Sequence, residues 1–97
     1  MTEPCDLSAV DARRLIGDGC LSPVELFDSC QARIEAVNPA VNAVEAERFE
    51  VGRKEAEGAA DAVANGEELP PLHGLPIGVK DANAVGGLRS TYGSLIY

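Results

Sequence analysis

Lys80 ends a short apolar run, and a lysine at such a position is a candidate catalytic residue. It closes the segment Ile77-Gly-Val-Lys80, which follows the turn-forming residues Gly74-Leu-Pro76. Side chains alternate faces along a strand, so Gly78 and Lys80 would share a face, and Gly78 would leave space beside the amine. A desolvated lysine favours its neutral form and can act as a base near neutral pH. A catalytic base is therefore one interpretation of the pattern.

A structural role for Lys80 is the interpretation that this stretch, taken alone, favours. Lysines at strand ends are commonly solvated or paired with a carboxylate, and Asp81 is adjacent. A phosphate-binding loop is excluded, because the Gly-x-x-x-x-Gly-Lys-Ser/Thr spacing is absent and Asp81 follows the lysine. The one histidine, His73, has no partner ligands nearby in sequence, so it is interpreted as a turn or packing residue.

Length and charge limit the classes of protein to which the sequence can belong. The 97 residues fit one domain at most, and two Phe, two Tyr and no Trp supply few large core side chains. The net charge of −8 argues against binding nucleic acid or anionic membranes through general electrostatics. No signal peptide or membrane span is recognisable. These features predict a cytoplasmic protein.

Helical periodicity and turn residues predict three helices and about two strands, hence an α/β chain. Cap signals support two of the helix starts: Ser8 with Asp11, and Ser22 with Pro23 and Glu25. Leu21 and Leu26 are spaced to form a hydrophobic staple across the second start. The predicted helices cover about 9–18, 23–38 and 46–65, and the predicted strands cover 41–44 and 77–81.

The three cysteines form an odd set without a Cys-x-x-Cys pair. Cys5, Cys20 and Cys30 are separated by 15 and 10 positions, which suits neither a disulfide framework nor a zinc site. We expect free thiols. Cys30 lies on the apolar stripe of the second predicted helix and is expected to serve as a small core residue.

Several phrases in order resemble the N-terminal part of the amidase signature family. The resemblance covers nearly the whole chain and is densest in the phrase that ends with Lys80 and Asp81. Arg33-Ile34 also belongs to it. Its main phrases are Leu21-Ser-Pro-Val-Glu-Leu26, Asn38-Pro-Ala-Val-Asn-Ala43, Pro71-Leu-His-Gly-Leu-Pro-Ile-Gly-Val-Lys-Asp81 and Gly87-Leu-Arg-Ser-Thr-Tyr-Gly-Ser94.

The resemblance implies a role and a fold for this segment. Lys80 would be the base of a Ser–cis-Ser–Lys triad that hydrolyses a carboxylic amide, with Asp81 and Ser94 supporting it. The implied fold is an α/β/α arrangement, with a mixed central sheet covered by helices. The Gly/Ser-rich signature that carries both serines is absent, so residues 1–97 are expected to be the N-terminal part of a single amidase domain and inactive alone. No metal or organic cofactor is implied.

Rival functions and partners stay open at this point. Within the family, the alternative is the catalytic A-type subunit of a tRNA-dependent amidotransferase, although Pro71-Leu-His-Gly74 looks more like free-standing amidases. A split enzyme and a small non-enzymatic α/β binding module are further alternatives. The expected partners are a small-molecule amide and the remainder of the amidase chain or a complementary chain. Neither a membrane nor, outside the amidotransferase alternative, nucleic acid is expected; a homodimer is left open.

Overall fold

The computed structural model describes residues 3–41, 44 and 48–78. A 3₁₀ turn at Pro4–Asp6 leads into three α-helices. These are α1 (Ala9–Gly17), α2 (Pro23–Val41) and α3 (Phe49–Ala64). A turn at residues 71–74 follows, and residues 75–78 have no regular structure.

The predicted α/β class is wrong for the described part of the chain, where three helices and no strand are found. Val41, expected in a strand, is the last residue of α2, and Ile77 and Gly78 are not in a strand. Residues 79–81 of the second predicted strand lie outside the described residues. A strand needs a partner that accepts its backbone hydrogen bonds, and the described residues offer none.

Helix α2 also runs past the predicted stop at Asn38-Pro39 and ends at Val41. Proline removes the backbone hydrogen bond to the carbonyl four residues earlier, here that of Glu35. Glu35 and Pro39 are both exposed, so water can satisfy that carbonyl. The Asn38 amide then bonds Val44 in both directions, at 2.9 and 2.8 Å, and so holds the chain beyond the helix.

The predicted starts of α1 and α2 are confirmed. Ser8 Oγ accepts the Asp11 N–H at 3.1 Å and caps α1. At α2, Ser22 Oγ accepts the Val24 N–H at 3.1 Å, while the Glu25 carboxylate accepts the Ser22 N–H at 3.2 Å. These side chains satisfy backbone donors that a helix leaves unpaired at its first turn.

The core lies where α1 meets the first turn of α2. Ile16 and Pro23 have the largest fully buried side chains, and the staple residues Leu21 and Leu26 are 7% and 4% exposed. The predicted staple therefore lies inside the core. The buried cluster and the partly buried residues against it are Ala12, Ile16, Leu21, Leu26, Leu7, Leu15, Cys30, Val63 and Leu75.

Helix α3 packs beside the early part of α2. The rings of Phe27 and Phe49 meet edge to face, with centroids 6.4 Å apart. Arg53 donates Nε and Nη2 hydrogen bonds to the Asp28 carboxylate at 3.1 and 3.2 Å. The predicted end of α3 at Asn65-Gly66 is confirmed, with Gly66 in the left-handed region at φ +71°.

Candidate active site

Lys80, Asp81 and Ser94 all lie outside the described residues, so their roles stay predictions. The structure does describe the chain that approaches Lys80, up to Gly78. Ile77, which the predicted strand places on the face opposite Lys80, is 85% exposed. No described atom lies within 4 Å of the position that a Gly78 Cβ would take.

A tight turn carries the chain out of α3 toward Lys80. The Pro70 carbonyl accepts the His73 N–H at 3.1 Å, and the Leu72 carbonyl accepts the Leu75 N–H at 3.2 Å. Proline pre-sets the backbone angle required at the second position of such turns, and Pro71 occupies it here. The turn predicted from Pro70-Pro71 is confirmed.

Gly74 packs this turn directly against the core, with no space for a side chain. Its φ of +81° lies in the left-handed region that glycine adopts without strain. A Cβ built there would lie 3.0 Å from Pro23 Cγ and 3.1 Å from Ile16 Cδ1. The next residue, Leu75, packs on the same core. Glycine at position 74 therefore permits a close backbone approach to the junction of α1 and α2.

His73 attaches the turn to helix α3. Its Nε2 lies 2.9 Å from the Ala59 carbonyl oxygen, and because a carbonyl only accepts, Nε2–H is the donor. The half-buried ring bridges residues 14 positions apart. The interpretation of His73 as a turn residue is confirmed.

Arg13, on α1, is a contact residue that sequence reasoning missed. Its Nε donates to the Pro70 carbonyl at 3.1 Å, and its Nη2 to the Leu69 carbonyl at 3.3 Å. The partners are more than 50 positions away in sequence. Two adjacent arginines at 13 and 14 gave no sign of which one would reach another part of the chain.

The described residues themselves hold no evident reactive centre. Burial raises the pKa of the Cys30 thiol, with a further contribution from neighbouring Cys5, so the thiolate is disfavoured. Within the described ranges, no group of three or more His, Cys, Asp and Glu side chains is placed to hold a metal ion. The contacts described above show that the three helices hold residues 69–75 in place.

Comparison with known proteins identifies the family. The amidase family model matches residues 25–97, which include every residue between α2 and the candidate lysine. The chain therefore belongs to the amidase family. No solved structure matches it significantly.

The relatives include an acylamidase and amidotransferase subunits. An acylamidase from Rhodococcus erythropolis is 42% identical over 88 residues, which make up 90% of this chain and 18% of the relative. The A-type subunit of the glutamyl-tRNA(Gln) amidotransferase from Synechococcus sp. is 38% identical over 88 residues, 91% of this chain and 18% of the relative. The corresponding protein from Roseiflexus sp. is 39% identical over 94 residues, which make up 97% of this chain and 19% of the relative. The chain spans about a fifth of the length of these relatives.

Among the residues that the structure describes, no helix has the length and apolar character needed to cross a bilayer.

Proposed function

We propose that this chain contributes Lys80, the base of a Ser–cis-Ser–Lys triad, to an enzyme that hydrolyses a carboxylic amide. The observation that carries the proposal is the family match over residues 25–97, which includes the Gly-Val-Lys-Asp phrase. The 42% identity with an acylamidase over 88 residues supports amide hydrolysis in particular. Asp81 and Ser94 support Lys80 in this proposal.

In the proposed mechanism, neutral Lys80 takes a proton from a bridging serine, which in turn deprotonates the nucleophilic serine. The nucleophile attacks the amide carbonyl, and backbone donors stabilise the oxyanion. Lys80 then returns the proton to the leaving ammonia or amine, acting as general acid. Water hydrolyses the acyl-enzyme. Both serines come from outside residues 1–97, either from the remainder of the chain or from a complementary chain.

Lysine replacement in the complete protein tests this role. Lys80→Ala should abolish amide hydrolysis, because no other group of the triad can accept the proton. The sequence contains one other lysine, Lys54, which is exposed on α3 and serves as the matched control. Lys54→Ala should keep the parent kcat. Turnover by Lys80→Ala at the parent rate would remove Lys80 from the mechanism.

Residues 1–97 by themselves are expected to show no turnover, because neither serine can be assigned within them. Losing one member of a catalytic unit costs orders of magnitude in kcat, and two are absent here. Intact mass spectrometry of the active material would establish whether one longer polypeptide or two chains carry the activity. Activity from the 97-residue chain alone would refute the proposed source of the serines.

A second candidate is the catalytic subunit of a tRNA-dependent amidotransferase. Amidotransferase relatives that are 38% identical over 88 residues and 39% identical over 94 favour it. In that case the amide is glutamine, and the partners are tRNA and further subunits. Glutamine hydrolysis that rises when an acyl-tRNA acceptor is added would favour this candidate; hydrolysis of simple amides without any acceptor would favour the free-standing amidase.

A further inference from the structure

The segment of residues 69–75, called here the anchored segment, is tied to helix α1 by Arg13. The flat guanidinium presents neighbouring N–H groups, which suits it to two carbonyls that follow one another in the chain. Arg13 uses Nε on Pro70 and Nη2 on Leu69. The Pro70 carbonyl also accepts the His73 N–H. Arg13 therefore holds the same carbonyl that closes the turn.

Gly17 leaves the space in which the guanidinium lies. It follows Arg13 by one helical turn, so the two positions share a face of α1. A Cβ at position 17 would lie 2.8 Å from Arg13 Nη1, closer than side-chain atoms approach. A side chain at position 17 would therefore require the guanidinium, the far end of a flexible side chain, to shift.

Two other contacts complete the attachment. Gly74 lies against Ile16 and Pro23, and His73 bonds the Ala59 carbonyl of α3. The anchored segment is thus fastened to all three described helices, and it leaves this attachment at Leu75. Lys80 follows five residues later, so covalent geometry keeps its backbone within roughly 17 Å of Leu75.

We propose that Arg13 is a positioning residue for catalysis: by holding the anchored segment on α1, it sets the place from which the chain reaches Lys80. The inference rests on the proposed function, in which Lys80 is the base. Misplacement of a catalytic group by about 1 Å can cost about 100-fold in rate. Leu69 and Pro70 begin the anchored segment, and Lys80 follows Pro70 by ten residues, so a shift at these two carbonyls alters the path of the chain toward Lys80.

The test uses variants of the complete protein, assayed for amide hydrolysis over a range of pH. Arg13→Ala removes both hydrogen bonds, while Gly17→Ala keeps the arginine and displaces it. Arg14→Ala is the matched control, because Arg14 is exposed and bonds Asp11 within its own helix at 3.1 Å. Arg13→Lys keeps the charge but lacks the two-donor geometry.

We expect kcat to fall about 10- to 100-fold in Arg13→Ala and by a smaller factor in Gly17→Ala, with KM within about twofold of the parent in both. Arg13→Lys should recover part of the loss, and Arg14→Ala should match the parent. The acidic limb of the pH profile should move to higher pH in the first two variants, because a looser site solvates the lysine and favours its charged form.

Gly17→Ala separates positioning from stability. Alanine favours the helix over glycine, so this variant should not melt earlier than the parent. Unchanged kcat and pH profile in both variants, with Lys80→Ala inactive, would overturn the positioning role and leave the proposed function standing. A melting-temperature change alone in Arg13→Ala would also overturn it. Turnover by Lys80→Ala would refute both proposals, since no base would remain to be positioned.

Discussion

Helix α2 begins inside the core and ends in solvent, and its two ends are held in different ways. Pro23 at its first position is fully buried, and Leu26 is 4% exposed. At the other end, Val37 and Val41 are 41% and 60% exposed. The first end is held by apolar burial and by the anchored segment; the second by the paired hydrogen bonds between Asn38 and Val44.

The comparison shows that the segment leading toward Lys80 packs against the buried end of α2. Gly74 contacts Pro23, and Leu75 packs on the same cluster as Leu26. The buried end of α2 is therefore the support on which the chain toward Lys80 rests. Changes at this end should be costly, and equal changes at the other end should be mild.

The largest expected difference comes from truncating one apolar side chain at each end. Leu26→Ala should cost about 3 kcal/mol of the free energy of unfolding, because it leaves a cavity in a packed core. Val37→Ala should stay within about 0.5 kcal/mol, since the valine is partly in solvent. Urea denaturation of both variants measures the contrast. Similar losses would mean that the Val37 end is buried in the working protein.

Close backbone packing at the start of α2 gives the next effect. Gly74→Ala should cost about 2.5 kcal/mol, combining the left-handed φ with the collision against Pro23 and Ile16. Gly66 is the control, because its φ is +71° and nothing lies within 4 Å of its Cβ position. Gly66→Ala should cost about 1 kcal/mol, for conformation alone. Equal melting temperatures for the two variants would show that Pro23 can move to accommodate the added methyl group at little cost in stability.

The smallest expected effect concerns the cap of α2. Ser22→Ala removes the acceptor of the Val24 N–H and should cost about 1 kcal/mol. Ser22→Thr keeps a side-chain oxygen and should lie near the parent. Amide hydrolysis should be unaffected in both, so thermal unfolding is the measurement. A melting temperature that does not change in Ser22→Ala would contradict the cap's contribution.

Local signals predicted the starts of α1 and α2 well, but α3 begins at Phe49 rather than at about 46, and the helix ends were predicted unevenly. The cap residues bond to backbone groups only a few positions away, so the neighbouring sequence is enough to predict them. These residues are Ser8, Ser22 and Asn65-Gly66. The stop at Asn38-Pro39 was placed too early, because the exposed end of α2 tolerates the lost hydrogen bond.

The strands were predicted from composition and alternation, which describe one face of a strand but not its partner. Val41 has the β-branched character of a strand residue and yet ends a helix. The candidate site was likewise only partly predictable from the sequence. Lys80 was identified from the Gly-Val-Lys-Asp phrase and from the family resemblance, whereas nothing in the sequence distinguished Arg13 from the arginine beside it.

Neighbouring residues and linear patterns were enough to predict the caps, the staple, the turn at Pro70-Pro71 and the amidase family. The folded chain was needed to learn which arginine holds the anchored segment, which helix His73 bonds and why position 74 needs glycine. Those contacts join residues between 14 and 58 positions apart. Sequence patterns cannot predict such contacts, because folding alone decides which distant groups come within hydrogen-bonding distance.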